Sequence, residues 1–237
     1  MTDPKDQWIA RLVKGKSFID IGGLWGTLNE KVTLAVQNGA SSATMADIAP
    51  LDHQLWQDFD NHSRAKGVTS YSRVNLDVTA PYPERTIEPK DIVHCSGIIY
   101  HVPDPFGMLA NLRRVTNEYL ILTSMVVPSR VSNEVGDLVL HHDTIHYVPT
   151  LREEIRKVVA AHFDARNVKI DAINRPLSEP WLWSDGKPNF GPWWWIWSPD
   201  FLRSLVQTAG FDVEEECWSW SDLSYSFLAK RREITGA

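Results

Sequence analysis

Short apolar runs recur along residues 17–127, and each is bounded by glycine, proline or acidic residues. Apolar runs of this length, bounded by turn residues, are typical of buried strands in a parallel sheet. The pattern predicts five strands, at residues 17–21, 43–47, 69–76, 91–96 and 119–127.

The segments between these runs place apolar residues at helical spacing. Thr27 and Glu30 have the spacing of a capping box, which predicts that a helix begins there and continues through Val32 and Val36. Asp52 can cap a second helix, and Asp104 followed by Pro105 predicts the start of a third. Strands that alternate with helices in this way predict a doubly wound, mostly parallel α/β sheet.

The remainder of the chain has a different pattern. Residues 129–166 are polar and are predicted to be helical, most clearly at 151–163, and residues 174–199 are predicted to form an ordered loop rich in tryptophan and proline. A helix at 200–209 and an antiparallel pair at 211–220 and 225–230 would complete a seven-stranded sheet. We therefore expect a single domain over 1–237, with a core at 17–127, an insertion at 129–199 and a terminal helix and strand pair at 200–232.

Composition excludes several classes of protein. The chain has 24 lysines and arginines against 30 acidic residues, a net charge of −6, which argues against a general nucleic-acid binder. Two cysteines, Cys95 and Cys217, are too few for a disulfide scaffold or a four-thiolate zinc site. The chain has no run of 18 apolar residues and no signal-peptide core, so we expect a cytoplasmic protein without a membrane partner. The oligomeric state, monomer or homodimer, is left open.

Tryptophan is the unusual component. The chain has 11 tryptophans, and eight of them fall between Trp181 and Trp220. Indole rings can line a pocket for sugars, aromatic rings or cations, or they can pack an insertion onto the core or contact a second subunit.

A glycine cluster follows the first predicted strand. Asp20 precedes Gly22, Gly23 and Gly26, so a ligand could approach backbone N–H groups at the start of the next helix. Leu24 interrupts the spacing of the dinucleotide-binding fingerprint. A tight turn without a ligand is the alternative.

Acidic residues end the next two predicted strands. Asp47 is placed to accept the ribose hydroxyls of an adenosine ligand at the carboxyl edge of the sheet, and Asp77 could accept the adenine amino group. A helix-capping or solvated role for Asp47 and an ordinary turn role for Asp77 are the alternatives.

The segment 91–105 adds a strand, then Ser96, Gly97, Tyr100 and His101. Together with the three preceding segments, in the same order and spacing, it resembles the class I S-adenosylmethionine-dependent methyltransferases. The piece from Gly97 to His101 is similar both to wobble-uridine carboxymethyltransferases and to several small-molecule methyltransferases. The resemblance covers residues 17–127, and the terminal helix and strand pair also fit that fold. Leu24 departs from the family pattern, which has a glycine there.

The resemblance implies S-adenosylmethionine as the cofactor and a set of residues around it. The implied cofactor-binding residues are Asp20, Gly22, Gly23, Leu24, Trp25, Gly26, Asp47, Ile48, Asp77, Val78, Ser96, Gly97 and Ile98. In this fold, insertions after the fifth strand commonly cover the substrate, so residues 129–199 are expected to supply the acceptor pocket.

Methyl transfer from a sulfonium is an in-line displacement, which requires alignment and exclusion of water. His101 is our candidate base for a hydroxyl nucleophile, with Tyr100 beside it, although both could simply order the loop.

The acceptor site is expected to draw on the insertion. On a helix, His142 and His146 would share a face, near His141, so these histidines could contact substrate, bind a metal or be solvated. Substrate-facing side chains are our prediction, and no metal is predicted. The predicted acceptor-binding residues are His141, His142, His146, Trp181, Trp183, Trp193, Trp194, Trp195 and Trp197.

The sequence thus predicts a methyltransferase that acts on an oxygen or nitrogen of a small or medium-sized metabolite. Two alternatives remain. One is an RNA-modifying enzyme, which the acidic composition opposes. The other is a regulatory protein that binds the cofactor without turnover, which Leu24 favours.

Overall fold

A seven-stranded sheet forms the centre of the computed structural model, which describes residues 3–170, 173 and 193–233. Five parallel strands are joined by an antiparallel pair at one edge. Their bounds are β1 (Ser17–Ile21), β2 (Ser42–Asp47), β3 (Ser72–Asn75), β4 (Lys90–Ser96), β5 (Thr116–Met125), β10 (Phe211–Ser219) and β11 (Ser224–Arg231). Their order across the sheet is β10-β11-β5-β4-β1-β2-β3, which confirms the predicted fold class.

Helices pack on both faces of this sheet. The described helices are α1 (Pro4–Leu12), α2 (Val32–Gln37), α3 (Gln54–Ala65), α4 (Pro105–Arg114), α5 (Glu153–Asp164) and α6 (Pro199–Thr208). Asp104 caps α4 as predicted, because its carboxylate accepts from the backbone N–H of Gly107 at 2.8 Å. The sequence pattern did not predict α1.

The first crossover starts differently from the prediction. Gly23–Asn29 forms a 3-10 helix, and α2 begins only at Val32. The predicted capping box is wrong: the Glu30 carboxylate accepts from the backbone N–H of Thr33 at 2.9 Å instead of reaching back to Thr27. The Asp20 carboxylate accepts from the backbone N–H of Lys31 at 2.8 Å, so a side chain from β1 sets the start of α2.

Residues 129–147 are not helical, and 148–150 form only a short 3-10 turn, which corrects the prediction for this part of the insertion. They form a hairpin of β6 (Arg130–Asn133) and β7 (Gly136–Val139), followed by β8 (His146–Tyr147), which pairs with β9 (Trp195–Ile196). The Asn133 side-chain oxygen accepts from the backbone N–H of Val135 at 3.0 Å, and this local bond favours a turn over a helix. Only the stretch predicted most clearly became a helix, α5.

Two apolar clusters, one on each face of the sheet, form the core. Successive strand residues point to opposite faces, so Phe18 belongs to one cluster and Ile19 to the other. Asp20 and His94 stand two residues beyond Phe18 and Ile92 on their strands, which places both polar side chains on the face that α1, α2 and α3 cover. Within the residues described, no helix is both long and apolar enough to cross a membrane.

Trp197 connects the end of the insertion to this core by burial and hydrogen bonds. Its side chain is 0% exposed, and its indole N–H donates to the Ser124 hydroxyl and the Met125 carbonyl at 3.2 and 3.1 Å. Its own carbonyl accepts from the backbone N–H of Val127 at 3.0 Å. The bonds therefore tie β9 to the end of β5.

We expect Trp197→Phe to lower the free energy of unfolding by about 1–3 kcal/mol, because the smaller ring leaves a void and loses the buried donor. Chemical denaturation measures the change. The matched control is Trp218→Phe, on an indole that is 41% exposed, for which we expect a change below about 0.5 kcal/mol. Equal effects of the two substitutions would contradict a core role for Trp197.

Candidate functional site

The candidate site lies at the carboxyl edge of the parallel strands, where the turns that follow β1, β2 and β4 meet. The backbone N–H of Gly22 donates to the Ala46 carbonyl at 2.7 Å, which joins the turn after β1 to β2. The backbone N–H of Gly97 donates to the Thr123 carbonyl at 3.0 Å, which joins the turn after β4 to β5. This is the edge at which open α/β sheets bind ligands.

Gly22 and Gly97 both require glycine for conformational reasons, since each has φ of +81°. Gly22 also lies against the Ile98 side chain, and a Cβ at Gly22 would fall 2.1 Å from Ile98 Cδ1. The turns after β1 and β4 are thus in direct contact, as the predicted site requires.

Asp20 is an interior residue and not the ligand-facing group that we predicted. Its side chain is 1% exposed, its Oδ1 lies 2.7 Å from His94 Nδ1, and its Oδ2 accepts from the Lys31 backbone. Gly23 lies directly above it, because a Cβ there would come within 2.6 Å of Oδ2. Both carboxylate oxygens are therefore engaged inside the protein.

The 3-10 helix of residues 23–29 covers part of the site. The Leu24 side chain is buried in the cluster that contains Met45 and Ala49, whereas Trp25 is 71% exposed. Gly26 lies within the same 3-10 helix. The leucine that departs from the family pattern is thus part of the core in this structure.

Asp47 is a buried residue of this edge with unused bonding capacity. Its Oδ1 accepts from the backbone N–H of Ala49 at 2.9 Å, while its buried Oδ2 has no hydrogen bond to any residue that the structure describes. The side chain is only 2% exposed, and burial raises the pKa of the carboxyl group. The negative charge of Asp20 acts in the same direction, and the backbone N–H groups of Ala49, Leu24 and Ile48 act against it.

The loop after β2 is braced and partly open. The Asn75 side-chain amide donates to the carbonyls of Ile48 and Ala49 at 2.9 and 3.0 Å, which fixes the chain just beyond Asp47. The Ile48 side chain is exposed. It therefore offers an apolar surface next to the buried carboxylate.

Asp77 takes part in a local turn. Its Oδ1 accepts from the backbone N–H and the hydroxyl of Thr79 at 2.9 and 2.6 Å. The adjacent Val78 is buried, and its carbonyl accepts from the Asn111 amide at 2.9 Å. The turn engages only Oδ1 of the exposed Asp77 side chain, so the adenine contact expected of Asp77 stays a prediction.

Tyr100 and His101 belong to a 3-10 turn, Ile99–His101, just after Ser96 and Gly97. Tyr100 is buried, which raises the pKa of its hydroxyl well above the ordinary value. The His101 ring is half-buried and its centroid lies 4.1 Å from that of Tyr100. Burial thus keeps Tyr100 neutral, and His101 is the more accessible of the two.

The tryptophans divide into two groups. Trp193 and Trp197 are core residues, and Trp193 packs between Tyr100 and Phe163 with ring centroids 4.7 and 5.3 Å away. This corrects the prediction that both line the acceptor pocket.

Trp194 and Trp195 are half-buried, and the rings of both lie against Tyr147, at 5.9 and 5.1 Å. Trp181 and Trp183 lie outside the described residues.

The Trp194–Trp195 segment joins the turn after β4 directly. The backbone N–H of Trp194 donates to the Tyr100 carbonyl at 2.8 Å, and the Trp195 indole N–H donates to the Val102 carbonyl at 2.9 Å. The part of the insertion that contains these two indoles is therefore adjacent to Tyr100 and His101.

The histidine cluster does not form the predicted helix face. His141 and His142 are exposed in and beside a turn, and His146 lies in β8. Burial, followed by the charge of Arg152, lowers the pKa of His146. Across residues 3–170, 173 and 193–233, no group of three or more His, Cys, Asp or Glu side chains is arranged to hold a metal ion.

His94 is the site residue that the sequence reasoning missed. It lies in the middle of β4 between Val93 and Cys95, and it is 1% exposed. An ionisable residue inside the buried part of a strand, 92–95, requires a buried partner, and this could have signalled its pairing with Asp20.

Comparison with known proteins identifies the fold of this chain. No family model matches the chain, and no curated protein matches it at a significant level. It is similar to the magnesium protoporphyrin IX methyltransferase of Synechocystis PCC 6803, solved with S-adenosylhomocysteine, with TM-score 0.56 and 13% identity over 97% of this chain and 80% of that one.

Two further structures are similar to the same extent. The 1,6-didemethyltoxoflavin N1-methyltransferase of Burkholderia thailandensis, solved with 1,6-didemethyltoxoflavin and S-adenosylhomocysteine, gives TM-score 0.54 and 13% identity over 97% of this chain and 77% of that one. A Rhodobacter sphaeroides protein, provisionally named a Zn-dependent alcohol dehydrogenase, gives TM-score 0.58 and 14% identity over 98% and 91%. At these identities the comparisons show the fold alone, the Rossmann-like fold of class I methyltransferases.

We expect Gly22→Ala to destabilise the protein more than Gly67→Ala does. Both glycines have positive φ, so each alanine costs about 1–2 kcal/mol of backbone strain, but only Gly22 meets a side chain, while nothing lies within 4 Å of a Cβ at Gly67. The contact with Ile98 should add about 1–3 kcal/mol, measured by denaturation.

The substitution Ile98→Val removes the offending Cδ1 atom and should recover part of that extra loss in the Gly22→Ala background. Equal destabilisation at Gly22 and Gly67 would mean that the turns after β1 and β4 do not touch.

Proposed function

We propose that this protein transfers a methyl group from S-adenosylmethionine to an oxygen or nitrogen atom of a small or medium-sized metabolite. The observation that carries the proposal is the unpartnered Oδ2 of Asp47, buried at the end of β2 in a methyltransferase-like fold. A buried carboxylate oxygen without a donor is costly, and the hydroxyl groups of a ribose supply the donors that it lacks.

The residues around Asp47 fit such a ligand. Gly22 and Gly97 keep the turns after β1 and β4 free of side chains, and the exposed Ile48 offers an apolar contact for an adenine ring. The two similar methyltransferases were both solved with S-adenosylhomocysteine, which supports the same class of cofactor here. Because the Asp47 side chain is only 2% exposed, ligand binding requires the residues that cover it to move.

When bound, S-adenosylmethionine would supply an electrophilic methyl group, and the protein would align the acceptor and exclude water. We propose that His101 accepts the proton of a hydroxyl acceptor, because it is half-buried beside this edge. Tyr100, whose pKa is raised by burial, keeps its proton at neutral pH and is proposed to hold the turn instead.

The acceptor pocket is proposed to be formed by the insertion, with Trp194 and Trp195 as its aromatic side. Their rings lie next to Tyr147, and their hydrogen bonds reach the carbonyls of Tyr100 and Val102. Indole faces stack on planar or sugar-like groups.

Binding of the cofactor without turnover is a second candidate, favoured by the burial of Leu24 beside Asp47. Incubation of the protein with methyl-labelled cofactor and a metabolite extract separates the two. Transfer of label to any metabolite supports catalysis, and binding without transfer supports the second candidate.

We expect Asp47→Asn to weaken S-adenosylhomocysteine binding by about ten- to a hundredfold, because hydrogen bonds to a charged acceptor contribute about 1.5–3 kcal/mol. Titration calorimetry measures the affinity. The control is Asp52→Asn, which removes an exposed carboxylate a short distance along the chain and should leave the affinity unchanged. The assignment fails if the two variants bind equally well.

The affinity should also depend on pH. Burial raises the pKa of Asp47 above its ordinary value of 3.8, so part of the free protein carries a neutral Asp47 in the acidic range above 3.8. Hydroxyl donors favour the carboxylate, so binding should release protons and tighten as the pH rises through the raised pKa, then level off.

Calorimetry in two buffers of different ionisation enthalpy measures the proton release. The Asp47→Asn variant should lack this dependence, and an identical pH profile in both proteins would assign the effect to another group.

A further inference from the structure

The carboxylate of Asp20 joins three elements that surround the candidate site. It belongs to β1, it contacts His94 of β4 at 2.7 Å, and it accepts from the backbone N–H of Lys31, at the start of α2, at 2.8 Å. Gly23 packs directly on Oδ2. A change in the position of this one side chain would therefore shift the glycine turn and the start of α2.

His94 is the side chain that holds Asp20 in place. The two residues are register partners in the parallel pair β1–β4, and both are 1% exposed. A carboxylate only accepts hydrogen bonds, so His94 Nδ1 carries the shared proton. Nε2 is buried and has no hydrogen bond to a described residue, so the bonding of this imidazole is directed at Asp20.

No other described side chain is hydrogen-bonded to Asp20. The nearby ammonium group of Lys31 pairs with Asp6 at 2.7 Å instead. The charge of Asp20 also reaches the site, because it contributes, after burial, to the raised pKa values of Cys95 and Asp47.

We infer that His94 is a positioning residue for cofactor binding. Through Asp20 it holds the glycine turn at residues 22–23 and the start of α2 in place, so that only the residues covering Asp47 have to move when a ligand binds. This inference rests on the proposed function, and it goes beyond it by assigning a role to a residue that need not touch the ligand. The competing possibility is that the pair only stabilises the sheet.

Two amide side chains separate these possibilities. In His94→Asn the amide nitrogen occupies the position of Nδ1 and can still donate to Asp20, whereas in His94→Gln it lies one methylene farther out. Both variants replace the imidazole with a neutral polar group, so they serve as a matched pair.

We expect His94→Asn to bind S-adenosylhomocysteine within about threefold of the wild type, and His94→Gln to bind at least about tenfold more weakly. The titrations are run well below the Tm of each variant, where loss of stability alone does not lower the affinity. Hydrogen exchange without ligand supplies a second measurement. The backbone N–H of Lys31 should exchange faster in His94→Gln than in the wild type and stay protected in His94→Asn.

Each outcome supports or overturns one proposal. If the wild type does not bind S-adenosylhomocysteine, the proposed function fails and the role of His94 in cofactor binding fails with it. If the wild type binds and the two variants bind equally well, the cofactor assignment stands and the inference about His94 is overturned. If His94→Gln does not fold, Asp20→Asn replaces it, since this substitution weakens the same contact from the other partner, and unchanged affinity would again overturn the inference.

Discussion

The hydrogen bonding of the buried Asp20 carboxylate is the interaction on which the first half of the structure depends. A charge in this position is costly unless it is hydrogen-bonded, and here the imidazole of His94 and the backbone N–H of Lys31 supply the donors. These donors come from β4 and from the chain that enters α2, so satisfying one carboxylate fixes the relation between both elements and β1. The late start of α2 and the close packing of Gly23 are consequences of the same requirement.

The sequence was informative where burial follows a simple period. Every predicted parallel strand is present, because apolar runs that enter a doubly covered sheet have few other ways to be buried. The sequence was misleading where a distant side chain competes with a local pattern. Thr27 and Glu30 have the spacing of a capping box. The start of α2 is set instead by the Asp20 carboxylate, which accepts from the backbone N–H of Lys31, and no local rule contains that contact.

The candidate site shows the same division. From their places at strand ends, Gly22, Asp47 and Gly97 were predicted to lie at one edge of the sheet, and they do, since the carboxyl ends of parallel strands meet at the same edge. Position could not distinguish an acid that faces inward from one with unused bonding capacity, because Asp47 is the last residue of its strand and Asp20 the last but one. The two tryptophan groups follow the same logic: Trp193 and Trp197 are buried by contacts with Tyr100 and Ser124, residues that are distant in sequence.

The unpartnered oxygen of Asp47 has a consequence for the amount of protein that a cell can maintain. A ligand that binds only the folded state lowers the unfolded fraction by mass action, and that fraction is the one that proteases and chaperones act on. A fold that keeps one buried acceptor unpaired until a ligand supplies its donors gives up part of its stability in the ligand-free state. Its abundance would then follow the supply of that ligand, and a shortage of the ligand would shorten the lifetime of the chain.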